Sequence, residues 1–316
     1  MNFEHTPVLM QEMIDFLQPD KNKNFIDLTI GGGGHAEQLL LRTAPGGKLW
    51  GVDLDPHAIA ASRLRLEQFA DRVQLIEGPF DQIVSFVTTY HINLPIQGIL
   101  LDLGISSFQL ADTQRGFSFQ EDAPLSMQFG PGAQPTAAHI LNTWEEDQIF
   151  HILQDFGEER FSRAMAREII RSRREAPIET TGQLLAIITR VYRGKKKPHK
   201  IHFATKTFQA LRIAVNQELR RLESVLPQAV QILRPGGRLA VISFHSLEDR
   251  IVKHFFKKEA TDCICPPQIP ECRCGHRKTV RILSKKAVFP AAEEIKRNPR
   301  SRSARLRVIE KLPLTE

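Results

Sequence analysis

The sequence predicts an α/β protein in which a doubly wound sheet is interrupted by a helical insertion. Strand and helix patterns alternate over the first hundred residues, strand patterns are absent over about 145–193, and an apolar strand returns at Arg238–Phe244. Such alternation is typical of parallel sheets covered by helices on both faces. The length of 316 residues exceeds an average domain of ~150 residues, which agrees with two structural units.

The strand segments of the first part are short, apolar and bounded by turn residues. They are Phe25–Leu28, Lys48–Asp53, Val73–Ile76 and Gly98–Leu103. Runs of this kind suit strands that are buried on both faces of a parallel sheet. Between them we expect helices at Gly34–Arg42 and through Ile59 and Leu66.

The pattern changes after Ser107. Arg115–Pro135 is rich in Gly, Pro, Phe and Ser without a clear period, so it is expected to be a long loop. Helical stripes follow, and apolar steps of three and four from Phe208 to Leu226 predict one long amphipathic helix. We therefore divide the chain into a first part of the sheet domain at 1–110, an inserted, mainly helical substrate-recognition domain at 111–204, and a second part of the sheet domain at 205–316.

Charge and hydropathy narrow the class of protein. The net charge is +7, and two basic runs carry much of it. Their members are Arg190, Arg193, Lys195, Lys196, Lys197 and Lys200 in the first run, and Lys296, Arg297, Arg300, Arg302, Arg305 and Arg307 in the second. Such runs are commonly solvated surface, but two of one sign favour a nucleic-acid partner. Neither a membrane span nor a secretory signal is expected, which predicts a cytoplasmic protein.

A glycine loop follows the first predicted strand. Gly31-x-Gly33-x-x-Ala36 fits the dinucleotide fingerprint, and Asp53 lies twenty residues after Gly33 at the end of the next strand. Glycine lets the backbone turn sharply and lets a ligand approach it closely, while a carboxylate at the second strand can accept both ribose hydroxyls. A tight turn alone would also explain the glycines. With the strand, the helix and Asp53 in register, we expect a nucleoside-type ligand.

Two such ligands are compatible with this loop, NAD and S-adenosylmethionine. Asp27 lies four residues before the loop, where an anion suits an amino group and a sulfonium but repels a pyrophosphate. The Leu233–Leu239 turn resembles one that many methyltransferases carry after a late helix. Both features favour S-adenosylmethionine, and neither decides alone.

Several further motifs occur in order along the whole chain. They are His5-Thr6-Pro7-Val8-Leu9, Gly31-Gly32-Gly33-Gly34-His35, Gly78-Pro79-Phe80, Leu101-Asp102-Leu103-Gly104-Ile105-Ser106-Ser107 with Gln109-Leu110, Arg115-Gly116-Phe117-Ser118-Phe119, Gly157-Glu158-Glu159-Arg160-Phe161, Thr207-Phe208-Gln209-Ala210-Leu211-Arg212, Ile242-Ser243-Phe244-His245-Ser246-Leu247-Glu248-Asp249-Arg250 and Asn298-Pro299-Arg300-Ser301-Arg302-Ser303. Together they closely resemble the bacterial 16S ribosomal RNA (cytosine-N4)-methyltransferase family, also called the MraW or RsmH family.

The resemblance implies a Rossmann-like class I methyltransferase fold. It also implies transfer of a methyl group from S-adenosylmethionine to the exocyclic amine of a cytosine in the decoding region of the small ribosomal subunit. The cofactor contacts that it implies fall on Gly33, Gly34, His35, Asp53, Phe80, Asp102 and Gln109. Gly33 and Gly34 would allow close approach of the methionine moiety, Asp53 would bind the ribose and Phe80 would face adenine.

The chain departs from the family pattern after the Gly-Phe-Ser-Phe loop, and at Ala36, where Ser or Thr is common. Pro-Leu-Asp-Met-Arg-Met is usual after the Gly-Phe-Ser-Phe loop, and Ser126 and Gln128 replace its charged pair here. Any role of that pair in loop closure or RNA contact is therefore in doubt. Phe117, Phe119 and Phe129 of the same loop could stack on an extruded base or pin the loop to the core, and both interpretations stay open.

Asp102 is the candidate catalytic residue. Cytosine N4 is a poor nucleophile because its lone pair is delocalised, while in-line attack on an activated methyl needs mainly positioning. The chain lacks the Asn/Asp-Pro-Pro-aromatic motif that many amino-methyltransferases carry after the fourth strand. We expect Asp102 to orient the cofactor and Ser106 or the 243–246 turn to contact the base.

Two further groups have alternative explanations. Cys263-x-Cys265 and Cys272-x-Cys274 with His276 form a compact cluster, but zinc sites more often space their ligands as C-x₂₋₄-C. A zinc knuckle and a plain surface hairpin both stay open, and no metal ligand is assigned. His245 could be a general base, or a capping residue of a helix start at Ser246-x-x-Asp249.

Two other classes of protein remain as alternatives at this stage. An NAD-dependent oxidoreductase would use the same loop and Asp53 but leaves the basic runs unexplained. A non-catalytic RNA-binding module would have no need of a complete cofactor fold. The sequence leaves open whether the protein acts as a homodimer, and whether the free RNA or the assembled subunit is the substrate.

Overall fold

The computed structural model describes residues 7–106, 109–110, 112–130, 135–195, 202–266, 268 and 271–313. His5, Thr6, Ser107 and part of the first basic run (Lys196, Lys197 and Lys200) lie outside these residues. The chain divides into two compact units, one formed by 1–104 with 219–316 and the other by 105–218. The predicted limits of the insertion were 111 and 204, so the observed unit extends further at both ends.

The first unit is built on a seven-stranded sheet. Its strands are β1 (Asn24–Asp27), β2 (Leu49–Asp53), β3 (Val73–Glu77), β4 (Ile96–Asp102), β5 (Leu233–Ser243), β6 (Val280–Ile282) and β7 (Arg305–Lys311). They lie in the order β3-β2-β1-β4-β5-β7-β6. The first five strands pair in parallel, whereas β7 pairs antiparallel with both β5 and β6. The predicted α/β fold is confirmed, with an antiparallel edge that the sequence pattern did not indicate.

Helices cover both faces of this sheet. They are α1 (Met10–Leu17), α2 (Gly34–Arg42), α3 (Pro56–Arg65), α4 (Ile83–Thr89), α10 (Glu218–Ile232), α11 (Ser246–Glu259) and α12 (Ala292–Arg297). Alternate strand residues point to opposite faces. Ile99 and Leu101 therefore pack in the cluster that contains Leu226 of α10, while Leu100 packs in the cluster that contains Leu39 of α2. Of the helices in the described part of the chain, none is long and apolar enough to cross a membrane.

The second unit is helical around its own apolar core. Its helices are α5 (Ala137–Thr143), α6 (Glu146–Asp155), α7 (Ser162–Glu175), α8 (Thr181–Tyr192) and α9 (Thr205–Asn216). Ile149, Ile169, Leu184 and Leu211 are among its fully buried side chains. The predicted helical insertion is present, and the core that it encloses explains why it forms a separate unit.

The single long helix predicted from Phe208 to Leu226 is wrong. The chain instead forms α9 and α10, which are separated at Gln217, where φ is +51°. A left-handed residue ends a helix because it turns the chain away from the helix axis. The apolar periodicity continues across this break, since both helices bury one face. That continuity misled the interpretation of the sequence.

Candidate active site

Three carboxylates lie at the ends of neighbouring parallel strands. Asp27 is the last residue of β1, Asp53 of β2 and Asp102 of β4. The chain proceeds from β1 towards β3 on one side and from β4 towards β5 on the other, so the order of the strands reverses between β1 and β4. Ligands of open α/β sheets bind at the carboxyl ends of the strands beside such a point. The sheet thus brings three residues singled out in the sequence to one edge.

The glycine loop connects β1 to α2 and is held from behind by α3. Gly33 has φ of +77°, a conformation that only glycine adopts without strain. The Ser62 hydroxyl donates to the Gly31 carbonyl at 2.6 Å, and an Arg65 guanidinium nitrogen donates to the Gly32 carbonyl at 3.2 Å. The sequence analysis missed Ser62 and Arg65. Their spacing of three residues on one helix was the available signal.

Gly34 also lies close to the N-terminal segment. A Cβ atom at this position would lie 2.5 Å from Cγ of Pro7, so glycine is needed here for the approach of the N-terminal segment. The same segment accepts a hydrogen bond, because the Val8 carbonyl oxygen lies 3.0 Å from Nε2 of His35. Leu9 then donates its N–H to the Glu294 carboxylate at 2.8 Å. Residues 7–9 therefore lie against the loop.

His35 is buried below the site. Its Nδ1 lies 3.6 Å from Oδ2 of Asp102, and its Nε2 faces the Val8 carbonyl oxygen. Only 6% of the residue is exposed. These contacts favour a role in positioning Asp102 and the 7–9 segment.

Asp53 is held by backbone groups on both carboxylate oxygens. Oδ2 accepts from the Gly31 N–H at 2.9 Å, and Oδ1 accepts from the Asp55 N–H at 2.9 Å. A carboxylate offers about four acceptor positions, so Asp53 keeps acceptor capacity for a ligand hydroxyl. Burial raises the pKa of Asp53 to about 6, even though hydrogen bonds from the backbone of Asp55, Gly31 and Leu54 act to lower it.

Asp27 and Asp102 are linked through Thr29. The Asp27 carboxylate accepts from the Thr29 N–H at 3.1 Å, while the Thr29 hydroxyl accepts from the Asp102 N–H at 2.6 Å. Burial, together with the nearby Asp53, raises the pKa of Asp27 to about 7. Burial, followed by repulsion from Asp27 and Glu248, raises the pKa of Asp102 well above its usual range. The edge of the sheet is therefore poised to receive a cation.

One oxygen of Asp102 lacks a protein partner. Among the described residues, no group hydrogen-bonds to its buried Oδ1. A buried acceptor without a partner costs free energy and is uncommon in folded proteins. A cationic donor bound at this edge would remove that cost.

Phe80 lies in a short 3₁₀ turn directly after β3. The turn follows Gly78, whose N–H donates to the Asp53 carbonyl oxygen at 2.9 Å. The Phe80 side chain is half-buried and packs against the core cluster on one face of the sheet. Phe80 thus follows the end of β3, the strand that pairs with β2, and β2 ends in Asp53.

Gln109 belongs to the second unit and organises its first loop. Its side-chain oxygen accepts from the Ser106 N–H at 3.0 Å, and its own N–H donates to the Ser106 hydroxyl at 3.1 Å. Its amide nitrogen lies 3.4 Å from the Phe129 carbonyl oxygen. Ser106, a predicted base contact, is thus engaged with Gln109.

The aromatic loop residues pack within the second unit. The Phe117 and Phe129 rings lie 5.6 Å apart, and Phe119 stacks on His202 at 4.6 Å and meets Phe208 edge-on at 5.1 Å. These contacts favour the interpretation that the aromatics pin the loop to the helical core.

Ser126 and Gln128, which replace the charged pair of the family pattern, contact each other. The Ser126 hydroxyl donates to the Gln128 side chain at 3.1 Å. A neutral hydrogen bond therefore links the two positions at which the family usually has a charged pair.

His245 is the N-cap of α11. Its ring nitrogen accepts from the Glu248 N–H at 3.4 Å, and the Glu248 carboxylate accepts from the Phe244 and His245 N–H groups. The capping interpretation is confirmed, because the helix begins at Ser246 and His245 is its N-cap. Ser243 is 1% exposed, so it is not available to a base.

Comparison with known proteins decides between the classes of protein that the sequence left open. The model of the MraW methylase family matches residues 2–312. The chain belongs to the MraW methylase family. The resemblance noted in the sequence is confirmed over the whole chain, and the protein is a methyltransferase. The oxidoreductase and the non-catalytic binding module are excluded as its class.

Curated members of the MraW methylase family are similar over their full length. A ribosomal RNA small subunit methyltransferase H from Heliobacterium mobile is 47% identical over 99% of this chain and 100% of its own length. Proteins of the same name are 49% identical in Thermomicrobium roseum, over 98% of this chain and 94% of theirs, and 45% identical in Symbiobacterium thermophilum, over 100% and 99%.

Proposed function

We propose that the protein transfers a methyl group from S-adenosylmethionine to N4 of a cytosine in 16S ribosomal RNA. The observation that best supports this cofactor is that Asp27, Asp53 and Asp102 lie at one edge of the sheet beside a glycine loop. The family and the names of its curated members support the RNA substrate.

The charge of the site fits this cofactor. S-Adenosylmethionine carries a sulfonium and an ammonium, and both stabilise neighbouring carboxylates in their ionised form. Asp27 and Asp102 need such a partner, because burial, together with repulsion from neighbouring carboxylates, raises the pKa of each. The pyrophosphate of NAD would add negative charge to the same edge.

Each part of the cofactor has a candidate partner. The remaining acceptor positions of Asp53 suit the ribose hydroxyls, and the ring of Phe80 suits one face of adenine. The orphan oxygen of Asp102 suits the methionine ammonium. Gly33 and Gly34 place two residues without side chains at the N-terminus of α2, and helix N-termini attract carboxylates. The resemblance adds Gln109 to the proposed cofactor contacts.

The residues of this chain act by positioning. The bound cofactor supplies a methyl group on a positively charged sulfur, which is already activated for attack. His35 and Thr29 hold Asp102 from two sides, and we assign to Asp102 the orientation of the cofactor for in-line approach of N4. Ser106, although engaged with Gln109, and the exposed Ser246 of the 243–246 turn remain the proposed base contacts.

The RNA is expected to contact a basic surface of the first unit. Lys296, Arg297, Arg300 and Arg302 are exposed on α12 and the turn after it. Arg305 and Arg307 of the same run instead pair with Asp249 of α11, Arg307 at 2.6 Å. The exposed members of the run are the candidates for contact with phosphates.

The deciding experiment supplies labelled S-adenosylmethionine and the purified protein to small ribosomal subunits that lack this methyl group. Label on N4 of a single 16S cytosine is expected. Parallel reactions with naked 16S RNA and with assembled subunits distinguish the two substrates. Absence of label from cytosine in both reactions would refute the proposal.

Asp102→Asn tests the assigned catalytic role. The variant keeps the size of the side chain but removes its charge, and hydrogen bonds to charged groups contribute ~1.5–3 kcal/mol. We expect cofactor affinity and methylation to fall about 10- to 100-fold. Parental affinity together with a parental rate would overturn the assignment.

The cellular location and the state of assembly stay predictions. We place the protein in the cytoplasm, where its proposed substrate is found, and we leave a homodimer open. Sedimentation at several protein concentrations, with and without RNA, measures the state of assembly.

A further inference from the structure

The segment between α11 and β6 contains all four cysteines of the chain. It runs over 260–279, and its described residues form turns and bends with little regular structure. Its two ends are fastened, since the Thr279 N–H donates to the Glu259 carbonyl oxygen at 2.8 Å and Lys278 pairs with Asp262 at 3.0 Å. The described residues of the segment form no apolar core, because most of them are exposed and none is buried.

The four thiols nevertheless converge. The Sγ atoms of Cys263, Cys265, Cys272 and Cys274 all lie within 4.8 Å of one another. The pair Cys272–Cys274 is separated by 3.6 Å, and Cys274–Cys263 by 3.9 Å. These separations are far beyond the disulfide bond length of about 2.05 Å. The cysteines are thus free thiols gathered around one point.

The separations match a tetrahedron of thiolates around a metal ion. With a Zn–S distance of about 2.3 Å, the edges of a regular tetrahedron are about 3.8 Å. The two measured pairs lie within 0.2 Å of that edge. Tetrahedral sites with four sulfur ligands are typical of zinc or of iron. The C-x-C spacing, which departs from the commoner pattern, does not prevent this geometry.

Backbone groups support two of the sulfurs. The Ile264 N–H donates to Sγ of Cys274 at 3.5 Å, and the Arg273 N–H donates to Sγ of Cys265 at 3.4 Å. Each bond runs from one C-x-C pair to the other, so the two pairs are locked together. Hydrogen bonds of this kind orient metal ligands and stabilise their negative charge.

The surrounding charge also suits a metal thiolate centre. Four thiolates and one divalent cation carry a net charge of −2. Arg273 and Arg277 belong to the segment itself, and Lys257 and Lys258 end the preceding helix. His276, which the sequence grouped with the cysteines, instead places its Nε2 3.0 Å from the Lys258 carbonyl oxygen. The ligand set therefore consists of the four thiols.

We propose that Cys263, Cys265, Cys272 and Cys274 bind one structural zinc ion. The site is closed, because four protein ligands complete the tetrahedron and leave no position for substrate. Its role is to fix the 260–279 segment between α11 and β6, in place of the apolar core that the segment lacks. Zinc is favoured over iron because its tetrahedral thiolate sites need no electron-transfer partner.

The test measures metal in the protein purified without chelator. Elemental analysis is expected to find about one equivalent of zinc per chain. Cobalt added to the zinc-stripped protein should give the visible absorption and thiolate charge-transfer bands of a tetrahedral thiolate site. Less than about half an equivalent of zinc without the cobalt spectrum would overturn the proposal, as would iron in place of zinc.

The double variant Cys272→Ser with Cys274→Ser identifies the ligands. It should retain less than about a tenth of the zinc and lose the cobalt bands, because two of four ligands are gone. His276→Asn is the matched control and should keep about one equivalent. Affinity for S-adenosylmethionine, measured in the same preparations, reports that each variant is folded. Full zinc content in the double variant would refute the assignment.

Discussion

The sheet unit contains two clusters of side chains that can gather negative charge, and it holds them in different ways. Asp27, Asp53 and Asp102 lie at strand ends, where backbone hydrogen bonds set their positions before any ligand arrives. The four cysteines lie in an exposed segment with little regular structure. The first cluster is preorganised by the fold, whereas the second needs its own cation to be rigid. The difference shows that side chains which lie close together can be positioned either by the fold or by the ion that they bind.

The largest effect is expected from Asp53→Ala. This change removes the proposed ribose acceptor and leaves the N–H groups of Gly31 and Asp55 without theirs. The two hydrogen bonds proposed from the ribose hydroxyls to this charged group correspond to ~3 kcal/mol or more. Affinity for S-adenosylmethionine should therefore fall at least about 100-fold. Calorimetry measures it, with the exposed Asp71→Ala as control. A loss of less than threefold would mean that the edge of the sheet is not the cofactor site.

A smaller effect is expected from pH. The pKa of Asp27 is about 7 and that of Asp53 about 6 in the free protein, and a bound cation favours their ionised forms. Binding therefore releases protons, and affinity should rise by about tenfold between pH 5.5 and pH 7.5. S-Adenosylhomocysteine lacks the sulfonium and should show a smaller rise. Affinities for both ligands that do not change with pH would contradict the electrostatic account.

Gly33→Ala tests whether the loop, like the carboxylates, is set by the fold. A left-handed alanine costs ~1–2 kcal/mol, which lowers the Tm by about 2–6 °C. Gly236→Ala is a matched control, because Gly236 has a similar φ of +75° against +77° at Gly33 and open space around it. Both variants should lose stability by a similar amount, but only Gly33→Ala should weaken cofactor binding. Equal cofactor affinity in the two variants would disconnect the loop from the ligand.

The smallest effect on cofactor binding is expected from removal of zinc. Hydrogen exchange after chelation should accelerate within 260–279, because the proposed metal is what holds that segment. Affinity for S-adenosylmethionine should change less than about twofold, since the carboxylates are fixed by the sheet. Faster hydrogen exchange at β1 and β4 after chelation would show that the two clusters are coupled. It would contradict the distinction drawn between them.

The sequence predicted the parts of the site that depend on local pattern. Buried strands that end in Asp53 and Asp102, and a helix over Gly34–Arg42, follow from short apolar runs and from glycine turns. The parallel sheet then requires these strand ends to share an edge. The roles of single contacts were less accessible. The approach of Pro7 to Gly34, for example, has no signal in the glycine motif.

Local pattern by itself determined the α/β class, the helical insertion and the glycine loop with Asp53, because strand alternation, glycine and charge are properties of neighbours along the chain. The other candidate site residues followed from the resemblance to the family. Only the tertiary structure decided which distant groups meet. It ended a helix at Gln217, linked Asp27 to Asp102 through Thr29, and brought two C-x-C pairs to one point. Contacts between distant segments depend on how the units pack, and a periodicity of three or four residues contains no information about that packing.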